Sequence, residues 1–552
     1  MTGEIVVSEK ISIAISLIKS YLKDRYENKD RKIINTELVS LLSIKNKEFD
    51  DIDSLPAHID YNQLQTTLAV LNEKEDIQKS KGVYYTPTDV VKFILTNAVK
   101  SHYGKLRPNN LHVMDLNGIP YKSFCLTKKI YDPTCGAGEF LLSALEIKYN
   151  LMEMHNDSIG KPTIQRIIGT IYGNDINNDS IIISKLRLFL CTLRRFGTRK
   201  IKGISIYINN NFTELDFVTS NPEKDTFDII VGNPPYVEDS KSDVEPEVKY
   251  GNIYGNVLDN SAQLLSEKGV MGFIIPLSYV STPRMKNLRD TLFEQVKEQY
   301  ILSYSDRPDC LFTSVHQKLC IVIARKRNTL EKSIYTDNYR YWYNWERNEL
   351  FDSAQAVKNT LYTDEFIPKL GSLTDVNIYK KIVGNKKSIH ELLSNENESL
   401  YLNMRASFWI KAFINPHEGT EYREFLCKNE NVRNYCMCLL NSSLFWWYWI
   451  CVSDCWHITQ KELNGFRVPK IDDFGRINEL AIRLETDLED KKEYVGTKQT
   501  EYEYKHKNCT EVIHEIDDEI NNIFGLTEQE GLYIKQFAYR YRTSGGIYDE
   551  NN

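Results

Sequence analysis

The chain has 552 residues, 26% of them charged, and a formal net charge of -7. That length exceeds one core, because domains run to about 100–200 residues, so three or four units are expected. No run of about 18 uncharged apolar residues occurs, and Met1 to Asn28 mixes apolar with charged side chains, which excludes a typical spanning helix or export signal and leaves a cytoplasmic protein with no membrane partner as the expectation. The eleven cysteines are scattered and read as reduced thiols. Cys436, Cys438, Cys451, Cys455 and His457 cluster, but beside Phe445-Trp446-Trp447-Tyr448-Trp449, so buried apolar packing is expected there rather than zinc. The acidic balance speaks against a polyanionic substrate, although Arg194, Arg195, Arg199, Lys200, Arg325, Lys326 and Arg327 could line a local basic cleft.

In chain order, residues 1–80 read as helical. Ile11, Ala14, Ile15, Ile18 and Leu22 form a one-sided stripe, and amphipathic runs follow after Thr36 and over Leu64 to Leu71. From 81 to 330 short apolar runs alternate with helix-like stretches. Lys128–Tyr131, Ile167–Tyr172, Phe227–Val231, Val270–Ile275 and Leu319–Ala324 are the expected strands of an α/β fold with a mostly parallel sheet. The stretch Leu111 to Lys129, with Asp115-Leu116-Asn117-Gly118, reads as an insertion or added hairpin. Residues 331–470 are aromatic-rich and weakly periodic, which suggests a separate mixed domain. Residues 471–552 read as a helical extension, with a charged run at Glu485 to Lys492 and an amphipathic stretch from Val512 to Ile523 before Gly525.

Two turns carry chemistry. The first strand leads into Asp132-Pro133-Thr134-Cys135-Gly136-Ala137-Gly138-Glu139-Phe140. A carboxylate leaving a strand, followed by two glycines that allow close approach, suits a cofactor with a cationic methionine end. Asp132, Thr134, Gly136 and Gly138 are its candidate contacts, and the spacing does not fit a dinucleotide fingerprint. The second strand ends near Asp175-Ile176, where a carboxylate can grip a ribose and Ile176 can pack on a purine; an ordinary helix cap is the alternative there. The third strand runs into Asn233-Pro234-Pro235-Tyr236. Two prolines stiffen the backbone and remove amide donors, so the Asn233 side-chain oxygen and the Pro234 carbonyl can both accept from one amine; a stiff turn is the plain alternative.

These turns, with Gly82-Val83-Tyr84-Tyr85-Thr86-Pro87 before them, resemble the gamma-class, TaqI-like DNA adenine-N6 methyltransferases of type II restriction-modification systems. The resemblance covers residues 81–327 well and the remainder mainly by order and composition. It implies a Rossmann-like methyltransferase sheet that uses S-adenosyl-L-methionine, with a separate target-recognition domain at 331–470. It further implies that Tyr85, Thr86 and Pro87 border the methionine end of the cofactor, that Asp175 holds its ribose, and that Asp216 and Phe217 lie near its adenine. Asn233, Pro234, Pro235 and Tyr236 form the implied catalytic turn, with Tyr236 stacking on an extruded base. Phe312, in Leu311-Phe312-Thr313-Ser314-Val315, packs on that base's other face in the same reading. The expected partners are double-stranded DNA and a separately encoded restriction endonuclease, and the expected chemistry requires no metal.

In the recognition region Tyr341, Trp342, Arg405, Trp409, Lys411 and Lys461 offer stacking faces and donors for reading bases. The competing readings are a cytosine-N4 DNA methyltransferase, a protein or free-nucleotide methyltransferase, and a DNA-binding or assembly subunit with a degenerate methyltransferase fold. Asn at the head of the tetrapeptide favours adenine over cytosine N4 by resemblance, and the intact Asp132, Gly136, Gly138 and Asn233 speak against degeneracy. A built-in nuclease has only Glu489-Asp490-Lys491 to offer, with no upstream strand carboxylate.

Overall fold

Alternation of side chains along the apolar runs sets the layers of the fold. The computed structural model describes residues 7–55, 58–71, 85–220, 226–312, 316–417, 419–496 and 502–543. Its centre is a sheet made of β1 (Ile130–Asp132), β2 (Ile171–Asp175), β3 (Phe212–Glu214), β4 (Phe227–Gly232), β5 (Leu265–Pro276), β6 (Glu298–Tyr304), β7 (Leu319–Arg325), β8 (Ser333–Arg340) and β9 (Val357–Lys358). On β7, Leu319, Ile321 and Ile323 face one core while Cys320, Val322 and Ala324 face the other. Both faces are buried, so a one-residue slip would move every one of these side chains to the wrong layer. Each buried Ile or Val contributes roughly 1.5–3 kcal/mol, which pins the register.

The strand order is β3-β2-β1-β4-β5-β7-β6-β8-β9. Neighbours from β3 to β5 are parallel, β7 is antiparallel to both β5 and β6, and β6 pairs in parallel with β8. This is an α/β fold with a mostly parallel sheet, as the sequence leads one to expect. The carboxyl ends of β1 to β6 therefore share one edge. Because β7 runs the other way, its first residue, Leu319, lies at that edge beside Pro276 and Tyr304. Its last, Arg325, lies at the opposite edge beside Val270 and Glu298.

Helices Thr88–His102, Glu139–Met154 and Asn178–Phe196 cover one face, and the amino-terminal helices Glu9–Lys23, Asn28–Leu42 and Tyr61–Val70 join the same core. Ile11, Ala14, Ile15, Ile18 and Leu22 are all buried. The other face packs on helices Tyr254–Leu264 and Lys286–Gln295 and continues without a break into residues 366–534. Helix Gly475–Asp490 contains Glu489 and Asp490, and Thr510–Ile523 is the helix before Gly525.

Several elements differ from the sequence reading. Ile167 and Ile168 end the helix Lys161–Ile168, because Ile164, Ile167 and Ile168 have helical spacing, and β2 starts only at Ile171. The stretch after Leu111 holds a short helix, Tyr121–Thr127, and no hairpin. Strands β3 and β6 lie where none was expected, and β8 and β9 draw residues beyond 330 into the sheet itself. Gly82, Val83, Tyr84, Thr313, Ser314 and Val315 lie outside the described residues.

Among the described residues no single helix is long and apolar enough to cross a membrane. The apolar pair Glu430–Asn441 and Ser443–Val452, bent by 61°, is core, since every residue from Ser443 to Val452 is buried. All eleven cysteines are buried free thiols. Among the described residues no group of three or more His, Cys, Asp or Glu is placed to hold a metal ion.

Candidate active site

Strand order reverses around β1, with β2 on one side and β4 on the other. Open α/β sheets bind ligands at such a switch point, outside the carboxyl ends of the strands. A cavity of about 310 Å3 lies there. It gathers Tyr85, Thr86, Asp132, Thr134, Gly136, Asp175, Ile176, Asp216, Phe217, Asn233 and Pro235 from the ends of four strands and the segment before helix Thr88–His102.

Hydrogen bonds knit the strand ends together. The Gly136 N–H donates to Asp175 Oδ2 at 2.9 Å and the Asn177 N–H to Asp175 Oδ1 at 2.9 Å. Asn174 Nδ2 donates to the carbonyls of Pro133 at 3.0 Å and Leu215 at 2.9 Å, while Thr213 Oγ1 donates to Asn174 Oδ1 at 2.7 Å. One amide thus ties the loops after β1 and β3 to the end of β2. Arg187, buried in helix Asn178–Phe196, donates to the Ala137 carbonyl at 2.6 Å and to Gln65 Oε1 at 3.0 Å, and it pairs with Glu139. The amino-terminal helices are therefore bound to the glycine turn, and Ala69 from them lines the cavity.

The glycines have distinct reasons. Gly138 has φ +85°, and a Cβ there would lie 2.7 Å from Ser184 Oγ. Gly136 has φ +51° with open space where a Cβ would be. Gly232, the residue before Asn233, admits the Asp132 carboxylate, since a Cβ would lie 2.8 Å from Asp132 Oδ1. The two chemical turns therefore touch through a missing side chain.

The charges fit a cationic ligand. Asp132, Glu139, Asp175, Asp216 and Asp243 line the cavity against one lysine, Lys241. Burial pushes the Asp132 carboxyl well above the usual range; the Thr134 N–H bond opposes this and Asp175 adds to it. Burial raises Asp175 too, opposed by its backbone N–H bonds. A positive charge between them would favour both ionised forms. Thr134 Oγ1 is buried and has no partner among the described residues, so it is a polar atom left for a ligand.

At the other end, Asn233 Nδ2 donates to Thr86 Oγ1 at 3.1 Å, and Tyr236 Oη, with one proton to give, lies 2.5 Å from Asn233 Oδ1 and 3.0 Å from the Ile274 carbonyl. A carbonyl oxygen carries two lone pairs, so Asn233 Oδ1 can accept more than one hydrogen bond. Thr86 is 4% exposed, which makes this orientation rigid. Asp216 caps its own turn, accepting from the Val218 N–H at 3.0 Å, and Ile176 is 62% exposed at the cavity rim.

Residues 169–310 match the family described as Eco57I restriction-modification methylase. Two curated proteins similar to the chain are the type II restriction enzyme and methyltransferase RM.Eco57I of Escherichia coli and the type II methyltransferase M.BstVI of Geobacillus stearothermophilus. The first is 23% identical over 390 residues, covering 58% of this chain and 37% of that protein. The second is 27% identical over 205 residues, covering 34% and 36%. The chain thus spans just over a third of the length of either. The Type IIL restriction-modification enzyme MmeI, solved in complex with DNA, superposes with a TM-score of 0.54 at 12% identity over 97% of this chain and 96% of that one. A nuclease-deletion mutant of the Type ISP enzyme LlaGI gives 0.50 at 12% identity over 86% and 53%. At these identities the likeness is one of fold.

Outside the cavity the sequence candidates scatter. Arg325, Lys326 and Arg327 sit at or after the end of β7, on the edge away from the cavity, because β7 is antiparallel. Arg194 lies over the Tyr61 ring at 4.1 Å, and Arg195 pairs with Glu153 at 2.5 Å at the far ends of their helices. Trp342 is 1% exposed, and the Lys461 ammonium is bound to the Ser281 and Val452 carbonyls at 2.8 and 2.7 Å. Burial lowers the Lys411 pKa, and Trp409 donates to the Arg542 carbonyl at 3.2 Å. Tyr341 is half-buried and stacks on Trp446. Tyr341, Trp342, Trp409, Lys411 and Lys461 are thus engaged within the fold. Phe312 is 2% exposed, packed into the helix-covered face of the sheet. Arg405 is half exposed, at 50%, and Arg194 and Arg327 are exposed too.

Proposed function

We propose that the chain transfers a methyl group from S-adenosyl-L-methionine to the exocyclic N6 of adenine in double-stranded DNA, at a short motif chosen by the part of residues 331–470 that follows the sheet, after Gly371. One observation carries this reading: the Asn233 amide, fixed by Thr86 and Tyr236, shares a cavity with the buried carboxylate of Asp132 and the half-buried one of Asp175. Asp175, the Thr134 hydroxyl and the backbone at Gly136 would hold the cofactor, with Asp132 facing its positive end. Bound there, the cofactor supplies an electrophilic methyl on a sulfonium.

The residues of the chain do the rest by position. The target base leaves the duplex at a cost of a few kcal/mol and is held by contacts in the pocket. Asn233 Oδ1 and the Pro234 carbonyl accept the two hydrogens of the amine. Those bonds favour a tetrahedral nitrogen, so a lone pair otherwise delocalised into the ring is aimed in line. No side chain needs to add covalently to the base. A restriction endonuclease reading the same motif is the partner such a mark would oppose.

Incubation with labelled cofactor and duplex DNA, followed by nucleoside mass spectrometry, should give N6-methyladenine. Methylation-sensitive sequencing of a host expressing the chain should give one short motif. N4-methylcytosine as the product, or methylation without sequence preference, overturns the assignment.

The acidic cavity also predicts a pH dependence. The carboxylates of Asp132 and Asp175 titrate above their ordinary range, and only their ionised forms attract a cation. Cofactor affinity should therefore fall as pH drops through that raised range and level off above it. Asp132→Asn should flatten the part due to Asp132. Calorimetric titration from neutral to mildly acidic pH checks this, and an unchanging wild-type affinity refutes it.

A further inference from the structure

The carboxyl edge of the sheet carries a cationic cluster away from the cavity. Trp456, half-buried, has three cations around its ring: Lys318 Nζ at 4.5 Å, Arg405 Cζ at 4.7 Å and Arg307 Cζ at 5.2 Å from the centroid. Arg307 and Lys318 come from the segment joining β6 to β7, and Arg405 and Trp456 from the region after the sheet. The segments are clamped together: the Ala406 N–H donates to the Trp456 carbonyl at 3.1 Å, and Arg405 bridges to His457.

An indole face attracts one cation, but three gathered on one ring repel each other. The nearby anions answer this only in part. Lys318 meets Asp306 at 3.4 Å and Arg405 meets Glu421 at 3.4 Å, both longer than the 2.7–2.9 Å typical of a charge-assisted bond. Asp454 is turned to the backbone N–H groups of Trp456 and His457. Among the described residues no carboxylate pairs with Arg307, which is exposed.

Position completes the picture. Adjacent strands are about 4.8 Å apart, so Lys318, before β7, lies ~10 Å across the edge from the catalytic turn after β4. Arg307, after β6, lies ~14 Å across. That is within the width of a duplex seated over the cavity, whereas Arg325, Lys326 and Arg327 lie on the other edge.

We infer that Arg307, Lys318 and Arg405, arrayed around Trp456, form a phosphate-binding wall for the backbone of duplex DNA flanking the target base. The inference rests on the DNA substrate proposed above. The contacts are to phosphate, so they hold the duplex in register and read no base.

The test is binding of a labelled mixed-sequence duplex by the full chain, measured by anisotropy against salt concentration. Each lost phosphate contact lowers the slope of log affinity against log salt by about 0.9. Arg307→Gln, which breaks no ion pair, should lower the slope by about one and weaken binding equally for cognate and unrelated duplexes. Arg307→Gln/Arg405→Gln should lower it by about two, with cofactor affinity unchanged. Arg327→Gln, on the opposite edge, serves as the control and should leave the slope alone. Equal slopes for wild type and Arg307→Gln overturn the wall, as does an equal drop for Arg327→Gln, which would reflect overall charge. Binding confined to the single strand also overturns it. A wild-type chain that binds no DNA at all instead removes the proposed function, so the two failures are distinguishable.

Discussion

Asn233→Ala lowers the single-turnover rate of methyl transfer by about 100-fold or more, and leaves cofactor affinity nearly unchanged. The rate falls because the lost acceptor matters most as the amine nitrogen becomes tetrahedral, when its hydrogens turn more acidic. Affinity holds because the Asn233 amide is engaged by Thr86 and Tyr236, whereas Asp175, Thr134 and the glycine turn would hold the cofactor. Tyr236→Phe separates the parts of this account. It keeps the ring and removes the hydroxyl that orients Asn233, so its loss should be smaller than that of Asn233→Ala. Quenched-flow transfer of labelled methyl to a duplex carrying the motif measures both rates. A near-wild-type rate for Asn233→Ala removes the residue from the chemistry.

Asp175→Ala acts at the other end, weakening cofactor binding by about 100-fold or more. A carboxylate accepting two ribose hydroxyls makes two bonds to a charged group, each worth about 1.5–3 kcal/mol. The same oxygens also receive the Gly136 and Asn177 N–H groups, so the variant loosens the turn that shapes the cavity. Thermal unfolding should show a small loss of stability beside the large loss of binding. Calorimetry that finds wild-type affinity in Asp175→Ala takes the residue out of the cofactor site.

What could be read from sequence was local. β4, the Val270–Ile275 half of β5, and β7 are nearly unbroken apolar runs, and the two turns are contiguous segments whose residue types state their chemistry. β6 and β8 were hidden because they carry buried polar groups. Gln299, 1% exposed, accepts from Tyr279 Oη at 2.9 Å, and Thr336 Oγ1 donates to the Leu370 carbonyl at 2.8 Å. Those partners lie far along the chain, so the strands read as polar and exposed. The same blindness hid Asn174, Arg187 and Gly232, which matter through contacts with distant residues; the glycine next to Asn233 was the one local hint. Basic runs misled for a related reason. Arg325-Lys326-Arg327 is conspicuous in sequence, but the reversal of β7 carries it to the wrong edge, while Arg307, Lys318 and Arg405 are dispersed and meet only in space.

The two strands beyond residue 330 bear on how such a protein could be given a new target. A chimera cut at 330 would strip β8 from β6, leaving the N–H and C=O groups of Glu298–Tyr304 unpaired along that side. A bare strand edge of that kind is a template for aggregation. The attachment runs further still: the Asn359 N–H donates to the Ile334 carbonyl at 2.8 Å and the Gly371 N–H to Asn338 Oδ1 at 3.1 Å. The first junction that spares the sheet is at Ser372, whose hydroxyl accepts from the Asp375 N–H at 3.1 Å and opens helix Leu373–Val383. A transplanted reading head would therefore be grafted at a helix cap, with the last strands kept as part of the engine.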